Sequence, residues 1–258
     1  MDKDRIKEEI RQWVRDFVES YAKEHGIQGM WRVPLVGFAD VNSPYVRRLP
    51  QIVDPDHYMP ERFMKDPTVI ISYFVPFSEE VGRSNGVCEN NRASKLWAQA
   101  YKETNDMMPV LNENLTAFIQ QLGYRAVVPT EIGMRGDVLK SNWSQRHIAR
   151  AAGLGTFGVN NMLITERGGA GRYSSVVSDI PVTPDQPLTE ENCLYKKSGA
   201  CRQCVENCFS GALTFDGFDR FKCLDMCNVN EDVLGEGVCG KCAANVPCSF
   251  GVPGREDQ

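Results

Sequence analysis

The N-terminal segment of the chain repeats apolar residues at the spacing of an α-helix. Between residues 3 and 24 these positions recur every three or four residues and fall on one stripe: Ile6, Ile10, Val14, Phe17, Val18 and Tyr21. Most of the remaining positions are charged, and Gly26 follows as a residue type that commonly ends a helix. The pattern predicts an amphipathic helix that packs one face on a core.

Two later segments have the composition of β-strands rather than a helical period. Residues 34–40 (PLVGFAD) and 68–77 (TVIISYFVPF) are rich in β-branched and aromatic side chains. Three shorter segments of the same kind are also strand candidates, namely YRAVVPT, NMLIT and YSSVVSD.

Helical segments lie between these strand candidates. Residues 92–122 predict a long helix in which Pro109 causes a kink or a break. Residues 141–152 predict a shorter helix with Ser141 or Asn142 at its N-cap. This mixture of helices and strands favours an α/β or α+β domain that extends to about residue 185.

The cysteines divide the chain into two unequal parts. Of the ten cysteines, Cys88 stands apart and the other nine fall between residues 193 and 248. The turn-rich segment DIPVTPDQPLTEEN, residues 179–192, separates the two regions. We therefore expect two domains, residues 1–185 and residues 186–258.

Charge and hydropathy restrict the compartment and the partners. The net charge is −5, and an acidic chain repels phosphate backbones, so nucleic acid is not the expected partner. The N-terminus has no apolar export segment, and no run of eighteen apolar residues occurs. These features predict a cytoplasmic protein without a membrane span, in a compartment that keeps thiols reduced.

Three kinds of site compete for the nine clustered cysteines. Disulfides are disfavoured in a reducing compartment. Zinc usually takes four ligands arranged as two CxxC pairs. Iron–sulfur clusters also take four thiolates, and CRQCVENC has the C-x2-C-x3-C ending of the run that holds clusters in two-cluster ferredoxins. We favour two 4Fe–4S clusters over zinc because this run is asymmetric.

The ferredoxin run also suggests how the cysteines divide, since its last cysteine binds the other cluster. By this crossing rule, one cluster takes Cys193, Cys201, Cys204 and Cys248. The other takes Cys208, Cys223, Cys239 and Cys242. Cys227 is then spare, although Cys223 and Cys227 can exchange roles. Two such clusters predict a protein that moves electrons.

A glycine-rich segment precedes the cysteines. In AAGLGTFGVNNMLIT the glycines stand between a predicted helix and a predicted strand, which is the reverse of the order in a dinucleotide-binding fingerprint. A tight turn explains such a segment equally well. Together with the two-cluster cysteine set, however, the segment resembles the epoxyqueuosine reductases and, more distantly, the reductive dehalogenases, over about residues 30–250.

This resemblance implies a nitroreductase-like α/β domain that binds cobalamin, followed by a ferredoxin-like domain with two 4Fe–4S clusters. The family pattern AGLGWIGKN matches positions that would line the corrin: Ala152, Gly153, Leu154, Gly155, Gly158 and Asn160. The chain resembles a short form, because the C-terminal helical repeats that help the reductases hold tRNA do not follow the clusters. A tRNA partner is therefore not expected.

The same resemblance implies a proton donor near the corrin, and the chain departs from the family there. The family has a catalytic aspartate shortly before the glycine segment, where this chain reads GDVLKSNWSQRH and Asp137 is out of register. We take Asp137 and His147 as the candidates, with Arg146 and Tyr173 as further ones. A turn role for Asp137 and a structural role for His147 stay open.

Taken together, these features predict a cytoplasmic, cobalamin-dependent iron–sulfur reductase that acts on a small epoxide or halide. A low-potential ferredoxin or flavodoxin would supply its electrons. Two alternatives stay open. The chain could reduce or deliver cobalamin for another corrinoid protein, or it could be a two-cluster ferredoxin without cobalamin.

Overall fold

The computed structural model describes residues 3–86 and 92–255. Cys88 lies outside the described residues. A four-stranded antiparallel sheet forms the centre of the N-terminal part, in the order β1-β2-β8-β3. Its strands are β1 (Leu35–Asp40), β2 (Val69–Pro76), β3 (Ala126–Val127) and β8 (Gly171–Ser178). Four short strands form two separate hairpins: β4 (Met134–Arg135) with β5 (Lys140–Ser141), and β6 (Gly155–Phe157) with β7 (Leu163–Thr165).

Strand β2 is central, and every one of its residues is buried. Leu35 pairs with Phe74 across the β1–β2 ladder, and Val69 pairs with Ser178 across the β2–β8 ladder. A strand covered on both faces has an almost continuous apolar sequence, which is what VIISYFVP provides. The strands predicted from the sequence over residues 34–40, 68–77 and 173–179 are therefore confirmed.

Two long helices cover one face of the sheet. These are α1 (Lys3–Glu24) and α5 (Lys95–Gln121). Most of the stripe predicted in α1 is buried, with Ile10 and Val14 fully inaccessible, and Phe17 and Tyr21 are partly buried. The stripe packs on Leu111 and Leu115 of α5 and on Phe38 of the sheet. The amphipathic helix expected at the N-terminus is confirmed.

Shorter helices cover the opposite face. They are α2 (Pro44–Arg47), α3 (Leu49–Ile52) and α6 (Gln145–Ala151), with a 3₁₀ turn at Pro60–Arg62. Ile148 of α6 and the neighbouring Trp143 are buried against Ile70 and Val177 of the sheet. Helix α6 begins later than predicted, because Ser141 pairs in the β4–β5 hairpin and Ser144 takes the N-cap position.

The cysteine-rich part consists of two short helices and one longer helix joined by turns. Its helices are α7 (Leu194–Ser198), α8 (Gln203–Glu206) and α9 (Arg220–Leu234). Helix α4 (Glu79–Gly86) belongs to the first part of the chain. A third core cluster joins the two parts, because Val238 and Ala244 pack among Phe77, Val81 and Trp97. The mixed α/β class expected from the sequence is confirmed. Within the described ranges, no helix has both the length and the apolar composition that a bilayer crossing requires.

Candidate functional site

An apolar cavity of about 530 Å³ lies where the two parts of the chain meet. Aromatic and thioether side chains form much of its wall, among them Phe77, Trp97, Trp143, Met162 and Tyr173. Cavities of this size that are lined by aromatic side chains, with only a few polar groups, are typical of sites for small organic ligands. The cavity is therefore the main candidate site of the molecule.

Tyr173 and Arg146 bring polar atoms to this wall. The Tyr173 ring stacks on Phe74 with 4.3 Å between ring centroids, and its hydroxyl donates to the Leu163 carbonyl over 2.9 Å. Burial raises the pKa of Tyr173, so its hydroxyl stays protonated at neutral pH. Arg146 donates to the Asn161 carbonyl over 2.7 Å, and burial lowers the pKa of its guanidinium.

Five cysteines border the same cavity on the side of the second part: Cys208, Cys223, Cys227, Cys239 and Cys242. The Cys227 thiol donates to the sulfur of Cys223, which lowers the pKa of Cys223 and raises that of Cys227. The backbone N–H of Leu213 donates to the sulfur of Cys208 over 3.2 Å. The second predicted ligand set and the spare cysteine are thus brought to one place.

A much smaller cavity, of about 20 Å³, is bordered by the remaining four cysteines: Cys193, Cys201, Cys204 and Cys248. Burial and the charges of Cys193 and Cys201 raise the pKa of Cys204 to about 11. Burial and the nearby Cys204 raise the pKa of Cys248 to about 12. Like charges disfavour each other at this place, so four thiolates here need a cationic partner.

None of the nine cysteines of this region forms a disulfide. Among the described residues, no group of three or more Cys, His, Asp or Glu side chains has the geometry to hold a single metal ion.

Asparagines of the N-terminal part hold the CGKC loop, residues 239–242, in place. Asn85 donates from Nδ2 to the Cys239 carbonyl over 2.9 Å, and Asn160 donates from Nδ2 to the Cys242 carbonyl over 2.7 Å. Both asparagines are buried. The resemblance placed Asn160 at the corrin, whereas the structure shows it holding a cysteine loop. No local sequence pattern marks Asn85, because its partner lies 154 positions away.

The other predicted corrin residues do not line the apolar cavity. Ala152, Gly153 and Leu154 border a separate polar cavity of about 520 Å³, whereas Gly158 lies beside the small cysteine cavity. Gly155 pairs with Thr165 in the β6–β7 hairpin. The structure therefore does not bring the predicted corrin residues together around one cavity, and the turn interpretation of the segment agrees with their positions.

Neither predicted proton donor is among the residues that line the apolar cavity. Asp137 is exposed at the β4–β5 hairpin, where its ion pair with Arg135, at 2.8 Å, lowers the pKa of the carboxyl. His147 shares a hydrogen bond with Ser144 over 2.8 Å, and burial lowers the pKa of its imidazole to about 4. At neutral pH the first group is therefore ionised and the second is neutral. Their catalytic roles stay predictions.

Sequence comparison finds epoxyqueuosine reductases among curated proteins. The enzyme of Listeria monocytogenes is 28% identical over 183 residues, which cover 69% of this chain and 44% of that protein. The enzyme of Bacillus anthracis is 31% identical over 108 residues, which cover 41% of this chain and 27% of that protein. The chain thus spans less than half of the length of either relative. No family model matches the sequence.

Comparison with solved structures finds the same group. The epoxyqueuosine reductase of Streptococcus thermophilus has a TM-score of 0.61 at 16% identity, covering 98% of this chain and 68% of that chain. A catabolic reductive dehalogenase has a TM-score of 0.51 at 15% identity, covering 81% of this chain and 28% of that chain. The resemblance predicted from the sequence is confirmed: the chain is similar in sequence to epoxyqueuosine reductases and shares their fold.

The expectation against tRNA is contradicted. An epoxyqueuosine reductase of similar fold has been solved with a tRNA stem loop that carries the epoxyqueuosine modification. The two structures have a TM-score of 0.52 at 17% identity, and the match covers 87% of this chain and 57% of that chain. The expectation rested on the helical repeats that help the reductases hold tRNA, which do not follow the clusters here, and on the acidic net charge of this chain. Net charge is a poor guide here, because phosphate contacts depend on local basic residues rather than on the sum over the molecule.

Proposed function

We propose that the chain is a cobalamin-dependent iron–sulfur oxidoreductase, which passes electrons through two 4Fe–4S clusters to cobalamin and reduces an electrophilic organic group. One observation carries this proposal. The nine cysteines border two cavities, and one of these cavities is also the large apolar, aromatic-lined cavity of the molecule. Redox centres that are held by these cysteines would therefore lie directly beside a site for an organic cofactor.

The donor sets fit the clusters. The small cavity offers four thiols, Cys193, Cys201, Cys204 and Cys248, which is the set that the crossing rule predicts. The large cavity offers Cys208, Cys239 and Cys242, together with both Cys223 and Cys227 as candidates for the fourth ligand. We propose Cys223 as that ligand and Cys227 as its hydrogen-bonding neighbour.

The apolar cavity fits a flat macrocycle such as a corrin. Tyr173, Trp143 and Met162 supply a largely apolar wall, and Arg146 and Arg172 in the same lining supply charged groups for polar substituents. Of the described residues that line it, none is a histidine, so we propose that cobalt is bound without a protein nitrogen ligand. When bound, cobalamin supplies a strongly reducing, nucleophilic cobalt centre.

This assignment also gives the two parts of the chain their roles. We propose that residues 1–185 form a nitroreductase-like cobalamin domain and that residues 186–258 form a ferredoxin-like two-cluster domain. The small cysteine cavity belongs mostly to the second part, and its neighbours Lys196 and Lys197 are exposed. We propose that a low-potential ferredoxin or flavodoxin reduces the cluster at this cavity.

We propose Tyr173 as the proton donor. Its side chain lines the apolar cavity, and its hydroxyl is protonated at neutral pH because burial raises its pKa. The hydroxyl already donates to the Leu163 carbonyl, which fixes the orientation of the ring. In the described arrangement, neither Asp137 nor His147 combines a transferable proton with a place at the cavity.

The substrate that we propose is an epoxide or a halide. Epoxyqueuosine reductases and a reductive dehalogenase, by their names, act on these two groups, and the chain shares their fold. Since one relative was solved with a modified tRNA stem loop, the epoxide of such a stem loop belongs beside small epoxides and halides as a candidate substrate.

The test is anaerobic reconstitution followed by electron paramagnetic resonance. The chain would be loaded with iron and sulfide, given Co(II) cobalamin, freed of excess cofactor and assayed with a strong reductant and each candidate substrate. We expect two clusters per chain and a retained Co(II) signal without nitrogen superhyperfine splitting. A Tyr173→Phe variant should keep both signals and lose roughly 10²–10⁴-fold in turnover, which is the usual contribution of a positioned acid or base.

The alternatives give different results. Retained cobalamin without turnover of any substrate would point to a protein that delivers or reduces corrinoid for another protein. Two clusters without retained cobalt would point to a ferredoxin-type electron carrier. Full turnover in the Tyr173→Phe variant would exclude this tyrosine as the proton donor and return the question to Asp137 and His147.

A further inference from the structure

The indole N–H of Trp97 is a buried donor that has no hydrogen-bond partner in the structure. Trp97 is only 5% exposed, and its Nε1 atom is inaccessible to water. A buried donor without a partner is unfavourable, because it has lost its hydrogen bond to water and gained none in the protein. Buried polar groups are so regularly paired that such an atom requires an explanation at a redox or binding site.

The position of Trp97 suggests its missing acceptor. The residue lies in the first turn of α5, where its backbone N–H is bonded to the N-cap Ser94 over 3.0 Å. Its ring is among the residues that line the apolar cavity, together with Cys239 and Cys242. The ring also packs on Phe77 with 5.1 Å between centroids.

The CGKC loop is shaped to receive this ring. Gly240 has a φ of +72°, and a Cβ built on it would lie 2.3 Å from the Cε2 atom of Trp97 and 2.5 Å from its Nε1 atom. Only glycine permits both this backbone conformation and this close approach. The indole nitrogen is therefore held against Gly240, which directly follows Cys239 in the loop.

A second tryptophan of the same cavity provides the contrast. Trp143 also lines the wall and is 2% exposed. Its indole N–H donates to the Ser175 hydroxyl over 3.1 Å, so its hydrogen-bonding capacity is already used. The two tryptophans share a cavity and a degree of burial, but only the N–H of Trp97 lacks a partner.

We propose that the indole N–H of Trp97 donates to a sulfur atom of the cluster held by Cys239 and Cys242, and thereby sets its reduction potential. The proposal rests on the proposed function, because it requires a cluster at this loop. Hydrogen bonds to the sulfurs are among the factors that set the potentials of iron–sulfur clusters. Trp97 is a positioning and tuning residue in this proposal rather than a cluster ligand.

The direction of the effect follows from charge. Reduction adds one electron, taken from the external electron carrier, and makes the cluster and its ligand sulfurs more negative. A donor N–H stabilises the more negative form, so the hydrogen bond favours the reduced cluster and raises its potential. Removing the N–H should therefore make that cluster harder to reduce and leave the cluster of the other cysteine cavity unchanged.

The experiment is a potentiometric titration of the reconstituted chain followed by electron paramagnetic resonance. Trp97→Phe keeps an aromatic ring and removes the donor. Trp143→Phe is the matched control, since it removes an N–H that already has a protein acceptor. We expect Trp97→Phe to lower the equilibrium constant for reduction of one cluster about tenfold. This change lowers the reduction potential of that cluster by ~59 mV for one electron. The second cluster and both clusters of Trp143→Phe should keep their potentials.

Iron and sulfide analysis separates this proposal from the proposed function. Two clusters per chain with unchanged potentials in Trp97→Phe would overturn the hydrogen bond while leaving the clusters intact. No clusters in the unsubstituted chain would instead overturn the proposed function.

A second measurement avoids any folding defect of the variant. The unsubstituted chain would be labelled with ¹⁵N at the indole nitrogens of its four tryptophans, and electron–nuclear double resonance would be recorded on the reduced clusters. We expect a ¹⁵N coupling from one indole. Its absence would overturn the proposal.

Discussion

Two glycines that follow helices α6 and α1 show how a single residue is constrained by its surroundings. Gly153 has a φ of +74°, and Gly26 has a φ of +69°, so both occupy the left-handed region that is common just after a helix. A Cβ on Gly153 would lie 2.5 Å from the Gln186 carbonyl oxygen, whereas a Cβ on Gly26 would meet no atom within 4 Å. Gly153 thus allows the connection to the cysteine-rich part to pass close to α6.

This difference can be measured in the free energy of unfolding. Gly26→Ala should cost about 1–2 kcal/mol, because alanine is disfavoured in the left-handed conformation. Gly153→Ala should cost the same amount and, in addition, about 1–3 kcal/mol for the contact with the Gln186 carbonyl. Urea titrations of the two variants without cobalamin would give the difference. Equal losses would show that the Gln186 backbone moves away without cost.

At the residue scale, sequence reasoning is most informative where chemistry imposes spacing. The crossing rule divides eight cysteines into the two groups that the structure brings together, because the ligand order in two-cluster ferredoxins constrains the chain directly. The donors around the cysteines have no such pattern. Trp97 and Asn85 meet the CGKC loop across more than a hundred intervening residues, so no local spacing predicts their contacts.

Helix α5 shows the same limit at the scale of an element. The sequence predicted a kink or a break at Pro109. The break does not occur, because the helix continues from Lys95 to Gln121 with Pro109 inside it. A proline within a helix removes one backbone hydrogen bond and crowds the carbonyl four residues earlier. Burial of Met107, Leu111 and Leu115 on both sides of the proline offsets that cost. Local propensity indicated a break, whereas the tertiary core favours continuity.

Replacing this proline should therefore stabilise the chain. Pro109 is exposed, so Pro109→Ala leaves no cavity in the core. Alanine restores a backbone N–H that can bond within the helix, which stabilises the folded state. Alanine also makes the unfolded chain more flexible, which costs about 0.4–1 kcal/mol of stability. We expect the first effect to be the larger one. We expect the free energy of unfolding to rise by roughly 1–2 kcal/mol.

The neighbouring Val110→Ala variant is the control for this prediction. Val110 is 41% exposed, and its replacement changes helix propensity without restoring a hydrogen bond. We expect a change of about 0.5 kcal/mol or less in that variant. A loss of stability in Pro109→Ala would show that the proline supports the shape of α5 rather than straining it.

At the scale of the whole molecule, the two parts of the chain share a core. Val238 and Ala244 from the cysteine-rich part pack among Val81, Trp97 and other side chains of α4 and α5. Backbone bonds tie the parts together as well, since the N–H of Gly169 donates to the Cys248 carbonyl over 2.9 Å. Sequence composition predicted a boundary near residue 185, but it cannot predict such an interface, because the contacts join residues far apart in the chain.

If the chain holds the proposed clusters, this interface predicts that their removal loosens more than the cysteine-rich segment. Without the proposed clusters, the loops of the cysteine-rich part would lose the iron that fixes their cysteines, and we expect the side chains of residues 238–250 to leave the shared core. Hydrogen exchange followed by mass spectrometry, before and after anaerobic iron chelation, would measure this effect. We expect faster exchange in residues 193–255 and also in α4 and the first half of α5, where Val81 and Trp97 pack against that segment.

Helix α1 is the internal control for this experiment, because its buried residues pack on the sheet and on the second half of α5 in a different core cluster. Exchange in α1 should stay unchanged when iron is removed. If the increase were confined to residues 193–255, the cysteine-rich part would be an independent unit, and the shared core would contribute little to the stability of α4 and α5. If α1 exchanged faster as well, the clusters would hold the entire fold together, and the chain would unfold as one cooperative unit when it loses its iron.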